Sequence, residues 1–320
     1  MIRVRGLEKK YGDVHAVRGI DLDVERGEVF GFLGPNGAGK STTIKILCTL
    51  SSPTAGTAAV AGHDVVTARD EVRGQIGLVF QETTLDDYLS AYRNLLFHGE
   101  LYDVPARELP RRIEETMRMV GLWERKDSPV ATFSGGMKRR LEIARGLVHA
   151  PKILFLDEPT IGLDPQTRAS IWGYIRDLRK DHDITIFLTT HYMDEAENCD
   201  RIAIMDAGKI ACVDTPVKLK ASVGKDQVRL ATRDDEAALA SLKAKFGIDA
   251  RVGDGHVLFG VDAGEEFLPR LITELGVPVL SVSVARPSLD DVFLHFTGRA
   301  MRDAEAPAPS AVPREMRGRR

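Results

Sequence analysis

A glycine-rich stretch, GPNGAGKST at residues 34–42, constrains the fold of this chain more than any other segment. The apolar run EVFGFL at 28–33 predicts a buried strand before it, and Lys40–Leu50 carries apolar residues at helical intervals after it. Glycines between a strand and a helix let backbone N–H groups and the helix N-terminus converge on an anion. The sequence therefore predicts a phosphate-binding loop in an α/β fold.

Within this P-loop, Lys40 is expected to reach the β- and γ-phosphates of a nucleotide, and Ser41 to ligate Mg²⁺. The alternative is a glycine turn that caps an ordinary helix, but the strand before and the helix after favour the P-loop. The nucleotide-binding residues predicted here are Gly34, Pro35, Asn36, Gly37, Ala38, Gly39, Lys40, Ser41 and Thr42.

Two adjacent carboxylates, Asp157 and Glu158, end a second apolar run, ILFL at 153–156. Ligands of a parallel sheet lie beyond the carboxyl ends of its strands, so both acids are expected to face the phosphates. Asp157 suits the Mg²⁺ shell, and Glu158 suits a base for water. The alternative is that the two acids simply begin a turn, as the following Pro159 would suggest.

A serine and two glycines at 134–136 precede a helical pattern at Met137–Val148, and Ser134 can cap that helix. Taken alone, the triplet is a weak signal, since most such strings are plain turns. A second anion-binding helix terminus is hard to explain within one subunit, so this one is expected to face a nucleotide on another copy. His191 follows a further apolar run, 184–190, and is expected at a strand end.

In this order, the motifs resemble the nucleotide-binding subunit of ATP-binding cassette (ABC) transporters over about the first two thirds of the chain. The resemblance implies an ATPase that uses ATP and Mg²⁺ and works as a homodimer with a separate integral-membrane permease. It assigns catalysis to Lys40, Glu158 and His191, and Mg²⁺ contacts to Ser41, Gln81 and Asp157. Outside the P-loop it assigns nucleotide contacts to Tyr11, Gln81, Ser134, Gly135, Gly136 and Asp164.

The signature sequence FSGGM at 133–137 departs from the usual LSGGQ at Phe133 and Met137. Ser134 and the two glycines, which would touch phosphate, are kept. The departure therefore bears more on the dimer contact than on ATP binding.

After about residue 220 the predicted elements follow the order β-α-β-β-α-β, which indicates a small ferredoxin-like α+β domain. An apolar helix, LDDVFL at 289–294, comes next. Its Phe293 and Leu294 are expected to close that domain's core, and a role in regulation or dimer contact can coexist with this. Together with HYMDEA at 191–196, this ending resembles daunorubicin-resistance-type exporter ATPases.

Four segments are therefore expected. They are an ABC ATPase domain at 1–220, a helical subdomain within it at about 82–150, an α+β regulatory or dimer-contact domain at 225–298, and a disordered tail at 299–320.

Composition limits the function further. A formal net charge of −3 argues against nonspecific nucleic-acid binding as the main task. The 3 cysteines lack metal-ligand spacing, which favours reduced thiols. The sequence has no secretory signal and no apolar run of about 20 residues, so a transport role would require a separate membrane subunit. Together with the resemblance, this implies a place at the cytoplasmic face of the membrane, attached peripherally to the permease. A soluble or regulatory ABC ATPase that is not coupled to transport is the alternative.

Overall fold

The computed structural model describes residues 1–253 and 255–299. The strands within these ranges are β1 Ile2–Tyr11, β2 Val14–Val24, β3 Val29–Leu33, β4 Ala55–Val60, β5 His63–Asp64, β6 Ile76–Val79, β7 Ile153–Asp157, β8 Thr185–Thr190, β9 Arg201–Asp206, β10 Lys209–Asp214, β11 Asp226–Thr232, β12 Arg251–Gly253, β13 His256–Val261 and β14 Val279–Ala285.

The α-helices of the same ranges are interspersed among these strands. They are α1 Lys40–Leu47, α2 Arg69–Gln75, α3 Ala91–Leu101, α4 Leu109–Met119, α5 Gly135–Leu147, α6 Pro165–His182, α7 Met193–Ala196, α8 Pro216–Val223, α9 Asp235–Ser241, α10 Gly264–Glu274 and α11 Leu289–Thr297.

The largest sheet has six strands in the order β10-β9-β3-β8-β7-β6, all parallel except the edge strand β10. Leu33 pairs with Thr190 across β3 and β8, and Asp157 pairs with Thr189 across β7 and β8. Because parallel strands end at a common edge, this register brings the loops after β3, β7 and β8 together. The predicted α/β fold is confirmed, and the three predicted strand ends share one edge.

Both faces of this sheet are covered, as its long apolar runs require. On one face, Phe30 and Phe155 lie against Phe187, with ring centroids 5.5 and 5.4 Å apart. This face packs against α1 and an antiparallel sheet of order β2-β1-β4-β5. The opposite face packs against α3, α4, α5 and α6. Burying each phenylalanine contributes about 1.5–3 kcal/mol to folding, which fixes the sheet between its two layers.

The small C-terminal sheet is antiparallel, with the order β12-β13-β11-β14. Helices α9 and α10 pack on one face of it around Val228, Leu230 and Leu271. A π-helical turn at Leu242–Phe246 extends α9, so the first helix of this domain continues to Phe246. The predicted ferredoxin-like arrangement is confirmed.

Helix α11 occupies a different place from the one expected of the LDDVFL segment. Phe293 is fully buried, but it packs into the cluster that contains Leu219 and the helical layer, not into the core of the small sheet. Helix α11 lies against α8 and β10. The expectation that Phe293 closes the small domain's core is therefore wrong, because an apolar helix face indicates burial without identifying the partner.

The predicted disordered tail falls, apart from Arg299, outside the described residues. Among the helices of residues 1–253 and 255–299, none is long and apolar enough to cross a bilayer.

A stacked ring cluster joins the helical layer to the sheet. The Tyr102 ring stacks on His149 with centroids 4.1 Å apart and lies 4.7 Å from the ring of His98. The Nε2 of His149 donates to the carbonyl oxygen of Ile76, 2.9 Å away at the start of β6. Burial lowers the pKa of both histidines, that of His98 to about 3 with help from nearby Arg145.

Stability should fall as the pH drops below about 6.5, because His98 then binds a proton in the unfolded state but stays neutral in the folded state. Between pH 7.5 and 5.5, His98 alone should lower the free energy of unfolding by about 1.4 kcal/mol. Urea denaturation at both pH values measures this loss. In the His98→Leu variant, the free energy of unfolding should decrease less between the two pH values than in the wild type. The exposed His295→Gln variant serves as the control and should retain the wild-type pH dependence. Equal pH dependence of His98→Leu and wild type would contradict the assignment.

Candidate active site

The P-loop at residues 34–39 bridges β3 and α1 in a conformation that requires glycine. Gly39 precedes α1 with a φ of 107°, and a Cβ there would lie 2.5 Å from the carbonyl oxygen of Ala16. A Cβ on Gly34 would lie 2.2 Å from the carbonyl oxygen of Met205. Side chains at these positions would force the loop away from β9 and β2, so the two glycines keep the loop close to the sheet.

The side chain of Lys40 is buried beneath the P-loop. Its Nζ donates to the carbonyl oxygens of Gly34 at 2.5 Å and Pro35 at 3.1 Å. The same ammonium lies 3.6 Å from Oε1 of Glu158. This positive charge therefore sits between the loop and the acidic pair.

Asp157 ends β7 and is buried next to two hydroxyl groups. Its Oδ1 accepts hydrogen bonds from Ser41 Oγ at 3.2 Å and from Thr189 Oγ1 at 2.6 Å. Ser41 belongs to α1 and Thr189 to β8, so the contacts join three elements at the sheet edge. A carboxylate beside a serine hydroxyl offers the hard oxygen ligands that Mg²⁺ prefers.

Glu158 has a backbone φ of 47°, a left-handed conformation that costs a non-glycine residue about 1–3 kcal/mol. Its N–H donates to Thr189 Oγ1 at 3.0 Å, and His191 Nδ1 lies 3.4 Å from its Oε1. Burial raises the pKa of this carboxyl, but His191 and Lys40 outweigh burial and hold the pKa below its ordinary value. The carboxylate is therefore ionised at neutral pH and is placed between two nitrogen groups.

Two further predicted residues lie along the same cleft, which has a volume of about 360 Å³. Tyr11 lines one end with almost half of its surface exposed, and Lys9 Nζ lies 4.8 Å from its ring centroid. Gln81, just after β6, lines the cleft near Glu158. The structure thus brings together these predicted residues: Tyr11, Pro35, Asn36, Gly37, Ala38, Gly39, Lys40, Ser41, Thr42, Gln81 and Glu158. Gly34 does not line the cleft, but its carbonyl oxygen accepts from Lys40.

The signature residues lie apart from that cleft. Ser134 caps α5 by accepting a hydrogen bond from the N–H of Met137 at 3.3 Å, and Gly135 is exposed beside it. A Cβ on Gly136 would lie 2.5 Å from Thr167 Cγ2, so α5 and α6 begin side by side. Asp164 caps α6 by accepting from Thr167 N and Oγ1 at 3.0 and 2.6 Å. These two helix starts form a separate exposed surface.

Sequence reasoning missed three buried polar residues that support the site: Thr189, Glu195 and Arg139. Glu195 accepts hydrogen bonds from the hydroxyls of Thr160 and Thr190, and burial raises its pKa. No local signal could have indicated Thr189 or Arg139, because Thr189 is an ordinary strand residue and Arg139 stands between Lys138 and Arg140. Their partners come from neighbouring strands, which the linear sequence does not reveal.

Comparison with known proteins places this geometry in a family. Residues 17–161 match the family described as ABC transporter, and residues 215–297 match the C-terminal domain of DrrA1-3-like ATP-binding proteins. The chain is 41% identical to the daunorubicin resistance ATP-binding protein DrrA3 of Streptomyces coeruleorubidus, over 95% of this chain and 98% of that protein. The chain belongs to the ATP-binding proteins of ABC transporters.

Other members of the family are similar over much of the chain. The linearmycin resistance ATP-binding protein LnrL of Bacillus subtilis is 36% identical over 95% of this ABC protein and 100% of its own chain. The solved structure of cbiO1 from Clostridium perfringens, part of the ABC transporter complex cbiONQ, is 29% identical. It superposes with a TM-score of 0.65 over 77% of this chain and 95% of that chain.

A dimeric ATP-binding cassette in a post-hydrolysis state, bound to ADP and phosphate, is 27% identical with a TM-score of 0.60. It covers 67% of this chain and 98% of its own. The predicted family, the ABC ATPase fold and the ATPase activity are therefore confirmed.

Removing the Thr189 hydroxyl should weaken the acidic turn of this ABC protein. Thr189→Val keeps the shape of the side chain but leaves the buried N–H of Glu158 without its acceptor, so the free energy of unfolding should fall by about 1–3 kcal/mol. Chemical denaturation measures the loss. Thr189→Ser keeps the hydroxyl and should lose only about the 0.8 kcal/mol of one buried methyl group. Equal stability of Thr189→Val and wild type would show that this bond contributes nothing.

Proposed function

We propose that this ABC protein is the ATP-hydrolysing subunit of an exporter for a hydrophobic drug or natural product. It would act as a homodimer at the cytoplasmic face of the membrane, attached to a separate integral-membrane permease. The observation that carries the proposal is its similarity to DrrA3 and LnrL along almost the whole chain, including the C-terminal domain. Relatives named for resistance to daunorubicin and linearmycin support export of such compounds.

Hydrolysis would proceed by in-line attack of water on the γ-phosphate, where positioning and charge neutralisation provide most of the catalysis. Glu158 would orient the water and accept its proton, an effect typically worth about 10²–10⁴ in rate. The low pKa of Glu158 supports this role, because a base must be ionised at neutral pH. Lys40 would neutralise phosphate charge, and His191 would contact the γ-phosphate beside Glu158.

The donor set at the sheet edge fits Mg²⁺. Ser41 and Asp157 already approach within 3.2 Å of each other, and Gln81 lines the same cleft. These three residues would hold the ion, which when bound neutralises charge on the phosphate oxygens. Tyr11 would stack on the adenine at the exposed end of the cleft.

The position of the signature residues supports a homodimer. Ser134, Gly135 and Gly136 lie outside the cleft of their own subunit, and Ser134 and Gly135 are exposed at the start of α5. A helix N-terminus favours an anion, so this one would cover ATP held by a second copy. Asp164, beside it, would cross the same interface. ATP binding would then close the dimer, and hydrolysis would open it.

The surface after Gln81 supports docking of the permease. Tyr88 is 97% exposed, and Phe97 and Leu101 project from α3 with 64% and 68% of their surface exposed. Phe97 and Leu101 are four residues apart and therefore lie on the same helix face. The exposed apolar pair on α3 would favour a partner that covers it. A cytoplasmic helix of the permease would cover it.

Glu158→Gln should retain ATP binding while slowing turnover at least 10²-fold, because the amide cannot accept the proton from water. The same variant should accumulate as an ATP-bound dimer, since closure would no longer be released by hydrolysis. Equilibrium ATP binding, steady-state turnover and size-exclusion chromatography with light scattering provide the three measurements. Turnover at the wild-type rate would show that the base assignment is wrong.

The transport role predicts that ATP turnover rises when the purified protein is reconstituted in liposomes with its membrane permease, and rises further with a subset of hydrophobic drugs. Tyr88→Ala should keep the basal rate but lose the stimulation by the permease, because Tyr88 does not line the nucleotide cleft. Val217→Ala, an exposed apolar change on α8, should keep both. Turnover that ignores the permease and every drug would favour a soluble regulatory ATPase instead.

A further inference from the structure

Arg139 makes more hydrogen bonds than any other charged side chain near the acidic pair. It lies on α5, and only 6% of its surface is exposed. Its Nε donates to the carbonyl oxygen of Pro159 at 2.7 Å, and its Nη2 donates to those of Asp157 and Glu158 at 3.1 and 3.2 Å. Its Nη1 donates to the carbonyl oxygen of Phe80 and to Oε2 of Glu142.

These contacts use the whole hydrogen-bonding capacity of the side chain. A guanidinium carries five N–H donors in a rigid planar fork, and five acceptors surround this one. Four of the acceptors are backbone carbonyls at the carboxyl ends of β6 and β7. Arg139 therefore binds the backbone of the catalytic edge itself, and its charge is balanced by Glu142 at 3.1 Å.

The three consecutive carbonyls belong to the turn that contains Glu158. That residue has a left-handed backbone, an arrangement that persists only where its surroundings hold it. The direction of its backbone decides where its carboxylate points. Because Arg139 holds the carbonyl before Glu158, its own carbonyl and the one after it, the guanidinium fixes that direction.

The same side chain also reaches the segment that contains Gln81. Phe80, whose carbonyl it binds, directly precedes Gln81, and the partner Glu142 accepts a hydrogen bond from the N–H of Thr84 at 2.8 Å. One ion pair on α5 therefore anchors both the segment at 80–84 and the turn at 157–159.

We propose that Arg139 is a positioning residue for ATP hydrolysis: it holds the turn at 157–159 so that Glu158 faces the γ-phosphate, and it links that turn to the segment around Gln81. Arg139 touches no substrate and acts through Glu158. The inference therefore rests on the proposed role of Glu158 as the base.

The decisive variant is Arg139→Lys, which keeps the charge but places three donors on one nitrogen, too few and too close together to reach all five acceptors. Because a misplacement of about 1 Å can cost about 10²-fold in rate, kcat should fall about 10- to 100-fold. The KM for ATP should stay within about twofold, since the P-loop is untouched.

Arg140→Lys is the matched control on the same helix. Arg140 donates to the carbonyl oxygen of Val120 and to the hydroxyl of Tyr174 at 3.1 and 3.2 Å, far from the acidic pair. Its kcat and KM should both match the wild type within about twofold. An equal fall in kcat for Arg140→Lys would show a general effect on α5 and would overturn the proposal.

Thermal unfolding of each variant separates positioning from loss of the fold. If Arg139→Lys does not fold, the double variant Arg139→Met with Glu142→Gln removes both buried charges and keeps an acceptor for Thr84. That variant should fold, bind ATP and show the same fall in kcat. A folded double variant with the wild-type kcat would overturn the proposal.

A double-mutant cycle tests whether Arg139 acts through Glu158. In single-turnover reactions with excess enzyme, Arg139→Lys should slow the wild type but add little to Glu158→Gln, because residues that act as a unit are not additive. Equal slowing in both backgrounds, or no slowing in the wild type, would overturn the role of Arg139 alone. A normal rate for Glu158→Gln would instead overturn the proposed function of the base.

Discussion

The register between β7 and β8 is the constraint on which the rest of the site depends. Asp157 pairs with Thr189, so the acidic turn and the histidine that follows β8 emerge side by side at one edge. β3 pairs with the other side of β8, which brings the P-loop to the same edge. A shift of one residue would turn alternate side chains to the opposite face of the sheet, and the contacts among Ser41, Asp157 and Thr189 would be lost.

Much of this arrangement follows from the sequence because its main signals are local. The P-loop requires glycine at 34 and 39 for a steric reason, and that requirement is visible in the spacing alone. Asp157, Glu158 and His191 are predictable because each follows an apolar run, and parallel strands share an edge. Their predicted roles as ligand, base and phosphate contact are chemical inferences, and the geometry of the cleft supports them.

The remainder depends on contacts between distant segments. Nothing near Arg139 in the chain indicates that four carbonyls from two strands surround it, and Thr189 is an ordinary strand residue until β7 lies beside it. Phe293 also shows that the sequence does not identify packing partners, here for a helix that was itself predicted. Its helix was predicted from an apolar face, but the face alone did not distinguish the small sheet from the helical layer.

The packing of α11 against α8 determines how the C-terminal domain is attached to the rest of the protein. The chain leaves the nucleotide domain after α8, builds the small sheet, and comes back so that α11 packs on α8. The segment that forms the small sheet is therefore anchored at both of its ends, through α8 and α11, to the same region of the larger domain. Shortening the chain before Leu289 would do more than delete an accessory domain, since it would uncover the apolar surface around Leu219 that Phe293 now covers.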